Sequence, residues 1–238
     1  MSGARARTAL VTGASRGIGL EISRLLARDG MRVAMLARSA TDLEARAGEI
    51  GNGAIAVRCD IGNPDDVSAA TRRVVDAFGD APHIVVNNAG LFNLASIENT
   101  ELTAFRSALD VNLVAPFLIA RAFVERMRER RDGHIVTIGS IADRSVFPEN
   151  AAYASSKYAV RALHEVLRAE LRGSGVRATL VSPAQVDTPM WDEIDPDSRP
   201  GFTPRRDMLS ALAVAAAVHY AISQPADVNV DELRISHS

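Results

Sequence analysis

The chain has 238 residues, a formal net charge of −2, 47% hydrophobic and 24% charged residues, and one cysteine. That size fits one large α/β domain with a full core, and the slightly acidic balance argues against nucleic acid or an anionic membrane as the main partner. A lone cysteine excludes an intrachain disulfide, and the scattered histidines show no metal-ligand spacing.

The N-terminus, MSGARARTALV, is basic but lacks a signal-peptide core, and no stretch approaches the roughly 20 apolar residues of a membrane span. The expected location is the cytoplasm. The first strand is Thr8–Thr12. It runs directly into TGASRGIG, Thr12 to Gly19, and a helix whose inner face carries Ile18, Ile22, Leu25 and Leu26. Gly13, Gly17 and Gly19 remove side chains where the backbone must turn and approach a pyrophosphate. The helix start then offers free N–H groups and a positive dipole end to that anion. The spacing departs from the common G-x-G-x-x-G fingerprint.

A second strand, Arg32–Ala37, ends at Arg38 and Ser39. An NAD site places an acidic residue here for the ribose 2′-hydroxyl. An arginine instead attracts a 2′-phosphate with a charged fork, so the cofactor expected is NADP(H). Arg16 in the glycine loop is a second cation for that phosphate, and Ser39 a further hydrogen-bond donor. The apolar run Ala54–Cys59 reads as a third strand with Cys59 as a core thiol. Pro64 opens a helix to about Phe78. The strand Ile84–Asn87 closes in NNAG, Asn87 to Gly90, small residues beside which a cofactor can pass.

A long helical pattern spans roughly Glu101 to Arg130, with Pro116 marking a kink or restart. Asn112 lies within it, an awkward place for a side chain that competes for backbone hydrogen bonds. The apolar strand His134–Gly139 leads to Ser140. Thirteen residues later, YASSK sets Tyr153 and Lys157 on one face of a helix running to about Leu171. A free tyrosine has a pKa of about 10, and a nearby ammonium can lower it by roughly 1–3 pH units, which makes the pair a general acid/base unit. The remaining elements are a strand at Arg177–Val181, a helix from about Asp207 to Ser223 and a strand at Val228–Ile235. Between Pro183 and Pro204 five prolines mark an irregular segment, and the stretch from about Asp187 to Arg206 is expected to be mobile and to order over substrate. Apolar strands alternating with helices imply a doubly wound parallel sheet of about seven strands in one domain, 1–238, with a substrate loop around 183–206.

With TGASRGIG, Asp60, NNAG, Asn112, Ser140 and YASSK in order, the chain resembles the short-chain dehydrogenase/reductase superfamily, single-domain type, over essentially its whole length. The resemblance implies a Rossmann-type fold and hydride transfer between NADP(H) and a carbonyl or secondary alcohol. It implies that Tyr153 donates the proton, that Lys157 lowers its pKa and binds the nicotinamide ribose, and that Ser140 holds the substrate oxygen. Asn112 would anchor a water that relays protons to Lys157. Asp60 and Ile61 would meet the adenine; Gly13, Ser15, Arg16, Gly17, Ile18 and Gly19 the phosphates. Asn87, Ala89 and Gly90 would line the cofactor groove, and Pro183, Val186 and Thr188 would meet the nicotinamide. The family's usual Pro-Gly after the sixth strand is Pro183-Ala184 here, which leaves that loop's path open, since Ala lacks glycine's backbone range.

Leu91, Phe92, Leu94, Ala142, Val146, Phe147, Met190 and Trp191 suggest a mostly apolar substrate pocket. Asp143, Arg144 or the charges between Asp192 and Arg206 would admit a polar group. Helices near 101–130 and 151–173 carry surplus apolar surface, so a homodimer or homotetramer is expected. An alternative reading, a dinucleotide-binding regulatory or scaffold protein without turnover, predicts loss of the Tyr, Lys or Ser. All three are present. A nucleotide-sugar epimerase or dehydratase would need a larger second domain.

Overall fold

The computed structural model describes residues 6–238, so the first five residues of the basic N-terminus lie outside the described residues. Seven parallel strands form one sheet in the order β3-β2-β1-β4-β5-β6-β9. They are β1 (Thr8–Thr12), β2 (Arg32–Ala37), β3 (Ile55–Arg58), β4 (Ile84–Asn87), β5 (Gly133–Ile138), β6 (Val176–Pro183) and β9 (Glu232–Ile235). β1, β4, β5 and β6 are buried along their whole length, as a sheet covered on both faces requires. One face packs on α1 (Gly17–Arg28) and α7 (Ala211–Ile222), through Leu20, Ile22, Leu26, Val214 and Val218. The other packs on α3 (Pro64–Phe78) and α5 (Ala115–Arg130), through Val67, Val74, Ile119, Phe123 and Met127.

The chain starts in the middle of the sheet and winds outward in both directions. Ligands of such sheets bind beyond the strand C-termini, where the winding reverses between β1 and β4. The glycine loop, Arg38, Asp60, Asn87 to Gly90, Ser140 and Pro183 to Thr188 all follow strand C-termini and so share that edge.

Five features differ from those expected from the sequence. A helix absent from that reading, α2 (Ala40–Ile50), lies between β2 and β3; it buries only Leu43 and Ala47, too little to mark a periodic face. The long helix is α4 (Leu102–Leu109) and α5, joined by a π-turn at Asp110–Val114 in which the Ala115 N–H bonds the Asp110 carbonyl. That joined unit, Leu102–Arg130, is long and apolar enough to cross a membrane by length and composition, contrary to the expectation that no stretch is. Its side chains Ile119, Phe123 and Met127 are fully buried against the sheet. The last helix starts at Ala211 rather than Asp207, because Leu209–Ser210 (β8) first pairs with Val186–Asp187 (β7), and the Ser210 hydroxyl then caps α7 by accepting from Ala213 N at 3.1 Å. The last strand begins at Glu232, since Val228 is held in a turn by its bond to the Pro225 carbonyl.

Candidate active site

The glycine loop is built against NNAG. A Cβ at Gly19 would lie 2.3 Å from the Gly13 carbonyl oxygen, and one at Gly13 2.9 Å from Ala89 Cα. Gly13 also has φ +64°, where a side chain is strained. Asn88, which the sequence reading passed over, pins this arrangement: its Nδ2 donates to Thr12 O at 2.9 Å and to Gly13 O at 3.3 Å. The Thr12 hydroxyl in turn accepts from Asn88 N and Ala89 N, both at 2.9 Å. Thr188 closes on the loop from the far side, its Cγ2 being 3.3 Å from a Cβ built at Gly17.

The result is a bare-backbone cradle at the start of α1, which a phosphate fits. Arg16 and Arg38 are exposed on its rim and, among the described residues, neither is in an ion pair. Ser39 caps α2 by accepting from Asp42 N at 3.3 Å. Asp60 Oδ1 accepts from Gly62 N at 3.1 Å and shapes the turn after β3. Asn87 is buried, and its Oδ1 has no partner among the described residues.

Asn112 sits in the π-turn and is buried. Its Oδ1 accepts from Leu91 N at 2.8 Å, and its Nδ2 donates to Leu91 O at 2.9 Å and to Ser156 Oγ at 2.8 Å. Ser156 Oγ donates to the Tyr153 carbonyl at 2.7 Å, so one amide ties the end of NNAG to α6 (Ala151–Glu170). The residue four on from Asn112 is Pro116, which has no N–H to give the Asn112 carbonyl. That carbonyl lacks its ordinary helical donor.

Tyr153 and Lys157 share one face of α6, with the ammonium 5.6 Å from the ring centroid. Lys157 is buried and donates to the Ile138 carbonyl at 2.9 Å. Burial lowers its pKa from 10.5 to about 8, while the negative charge of Asp143 works against that fall. The Tyr153 phenol is pushed up, not down: burial dominates, Ser140 opposes it by hydrogen bonding, and Asp143 adds to the rise. The expected lowering by Lys157 is therefore not a feature of this geometry, in which the ammonium is engaged with a backbone carbonyl.

A cavity of about 660 Å³ opens over Ser140 and Tyr153. Phe92, Leu94, Ala142, Phe147, Met190 and Trp191 line it as expected, and Ile18, Pro183, Val186 and Thr188 connect it to the glycine loop. Leu91 and Val146 do not line it: Leu91 is held by Asn112, and Val146 is 77% exposed. Asp143 and Arg144 do not line it either, being paired to each other at 2.6 Å behind Ser140. Of the charges between Asp192 and Arg206, Arg199 lines it; Glu149 and Phe202 are lining residues that the sequence did not single out.

Aromatic rings run outward from the phenol. Phe92 is edge-on to Tyr153 at 4.7 Å and to Trp191 at 5.1 Å, and Trp191 to Phe202 at 6.4 Å. The Trp191 indole is fixed by its bond to the Val186 carbonyl, 3.1 Å. The proline-rich segment is not structureless: Arg205 ties it together through Asp187 at 3.0 Å and Asp192 at 2.6 Å. Ala184 needs no glycine, since its φ is not positive and its N–H bonds the Ile235 carbonyl at 2.9 Å.

A cradle for a dinucleotide at the switch point of a doubly wound sheet, beside a hydroxyl, a phenol and an ammonium under one pocket, defines an oxidoreductase of the dinucleotide-dependent class. The family model for short chain dehydrogenases matches residues 7–199, and the chain belongs to that family. It is 32% identical over 243 residues to an uncharacterized oxidoreductase of Staphylococcus saprophyticus, covering 100% of this chain and 98% of that one. It is 34% identical over 245 residues to dehydrogenase/reductase SDR family member 11 of Bos taurus, covering 97% and 96%. Among solved structures, an alcohol dehydrogenase from the archaeon Thermococcus sibiricus, complexed with 5-hydroxy-NADP, superposes with a TM-score of 0.87 at 31% identity, over 98% and 97% of the two chains.

Proposed function

We propose that this enzyme reduces bulky, mostly apolar ketones with NADPH, or oxidises the matching secondary alcohols, with Tyr153 as general acid or base. The observation that carries the reading is Ser140 and Tyr153 side by side on the floor of an aromatic-lined pocket that is continuous with the glycine-loop cradle. The nicotinamide supplies and accepts the hydride; the chain supplies placement and the proton. Gly13, Ser15, Gly17, Ile18 and Gly19 would hold the pyrophosphate, Asp60 and Ile61 the adenine, and Asn87, Ala89 and Gly90 the groove wall. Pro183, Val186 and Thr188 would hold the nicotinamide. Arg38 and Arg16, with Ser39, would hold the 2′-phosphate. Ser140 would orient the carbonyl oxygen. Lys157 would exchange its bond to Ile138 for the ribose, and the free Asn112 carbonyl would seat a water that returns a proton to it. An enzyme of this kind draws on a cytoplasmic pool of NADPH, where we place it.

The test is NADPH oxidation with a panel of aryl and alkyl ketones. Wild type should favour NADPH over NADH by at least tenfold in kcat/KM, on the order of one charged hydrogen-bonded contact. Arg38→Asp should reverse or abolish that preference. Equal use of both cofactors by the wild type would refute the role of Arg38.

We infer self-association as well. Ile97, Leu102, Phe117, Tyr158 and Val166 are exposed on and around α4, α5 and α6, and Leu212, Tyr220 and Val228 on and after α7. Two such apolar regions suit a dimer that pairs again into a tetramer. Light scattering at micromolar concentration should give a dimeric or tetrameric mass; a monomer would contradict this.

A further inference from the structure

Asp143 lies three residues after Ser140 and is fully buried, yet it touches neither pocket nor solvent. Buried carboxylates are expensive unless paired and hydrogen-bonded, and this one is both. Its Oδ1 accepts from Arg144 Nε at 2.6 Å. Its Oδ2 accepts from the Ser182 hydroxyl on β6 at 2.5 Å and from Ser140 N at 3.4 Å. The Ser140 hydroxyl completes a reciprocal cap on the turn by accepting from Ala142 N at 3.1 Å. The turn is packed so closely that a Cβ at Gly139 would meet Ser182 Oγ at 2.6 Å and Asp143 Oδ2 at 2.7 Å.

We propose that Asp143 is a positioning residue: its buried carboxylate, tied to Arg144, Ser182 and Ser140 N, holds the Ser140 turn and places a negative charge behind the Tyr153–Lys157 pair. The inference rests on the reading of Tyr153 as proton donor. The charged and titratable groups around it are few. Arg144 comes from its own turn, and Tyr153 and Lys157 come from α6. Glu232 on β9 pairs with the far side of Arg144, and β6 brings only the Ser182 hydroxyl. Among the described residues, the Asp143 charge bears on both Tyr153 and Lys157, and in the same sense on each. It disfavours the phenolate and favours the ammonium. The effect is to keep the phenol able to donate and to offset the loss of charge that burial would force on Lys157. Arg144, itself held by Glu232, limits how strongly the carboxylate acts.

The geometry makes opposite predictions for two neighbours. Asp143→Asn keeps the shape and leaves an amide oxygen for Arg144, but removes the charge. The alkaline limb of the kcat/KM profile for NADPH-dependent ketone reduction should move down by about one pH unit, a tenfold loss on the limb and little change on the plateau. Arg144→Gln removes the counter-charge, and the limb should move up. Ser182→Ala removes a hydrogen bond but no charge, and the limb should stay where the wild type has it. A merely structural Asp143 would lower activity equally at all pH values in Asp143→Asn, and that result overturns the proposal. If Asp143→Asn does not fold, Arg144→Gln decides, and an unmoved or lowered limb overturns it. Tyr153→Phe run in parallel separates the two readings: if it keeps full turnover, the proton-donor assignment fails, independently of Asp143.

Discussion

Tyr153→Phe is expected to lower turnover in ketone reduction by roughly 10²–10⁴-fold, the usual worth of a positioned general acid. The substitution removes one oxygen and keeps the ring, so the edge-on contact with Phe92 at 4.7 Å survives and with it the pocket wall. NADPH affinity should be unchanged. Lys157→Ala should behave differently. It deletes a buried ammonium whose carbonyl partner, Ile138 O at 2.9 Å, is then left short of a donor. Cofactor affinity should fall along with turnover. Neither Ser140 nor His164 replaces the phenol. The Ser140 hydroxyl has no base to take up its proton, and His164 is buried away from the pocket, bonded to Thr137 Oγ1 at 3.0 Å. The sign of the pH dependence follows from burial. The phenol is held above its ordinary pKa, so it stays protonated through neutral pH, and alkaline loss of activity should begin with Lys157, whose pKa burial lowers to about 8. Parallel measurements of turnover and NADPH binding in both variants check this. Near-wild-type turnover by Tyr153→Phe across pH 6–9 would show that another group carries the proton.

The sheet was legible because its strands are apolar on both faces: β1, β2 and β4 begin and end where the alternation of apolar runs and glycines places them. The site was legible where chemistry needs a rare residue at a fixed place, as with Gly19, whose Cβ has no room, or Ser140 at a strand end. What stayed hidden depends on contacts distant in sequence. Asn88 looks like a duplicate of Asn87 until its bonds to Thr12 and Gly13, more than seventy residues away, are seen. Asp143 reads as a charge that would admit a polar group to the pocket, and only its contact with Ser182, 39 residues on, shows that it is buried behind Ser140. Phe202 and Arg199 enter the pocket because Arg205 folds the proline-rich segment back on itself, a tertiary ion-pair arrangement that no local pattern encodes. The helix Ala40–Ile50 was invisible for the opposite reason: it covers the sheet edge with two buried side chains, and most of its face is polar.

Acid should unfold this protein well before its carboxylates are all protonated, because of two buried histidines, one on β5 and one on α6. His134 is fully buried with Nε2 on Thr179 Oγ1 at 2.8 Å, and His164 is 2% exposed with Nδ1 on Thr137 Oγ1. The second ring nitrogen of each has no partner in the protein, so a proton added there would be buried unsatisfied. Burial lowers the pKa from 6.5 to about 3 for His134 and to about 4 for His164, with Arg177 and Arg168 respectively adding to the fall. Both groups have folded pKa values below the unfolded one. Their contribution to stability is therefore complete above pH 6.5 and is lost as pH falls from 6.5 toward 4 and 3, where the unfolded chain binds protons that the fold refuses. At about 1.4 kcal/mol per pH unit, moving from pH 6.5 to 4.5 costs about 2 kcal/mol for each histidine, since each is half protonated in the unfolded chain at 6.5. The pair removes a large share of the roughly 5–15 kcal/mol that holds a typical domain. Thermal unfolding between pH 7 and 4.5 should show Tm dropping by on the order of 10 °C or more. His164→Asn keeps a donor near Thr137 and cannot take up a proton, and His134→Gln does the same toward Thr179. Each should flatten the decline by about half. If both variants lose Tm with pH as steeply as the wild type, the acid sensitivity lies elsewhere in the fold.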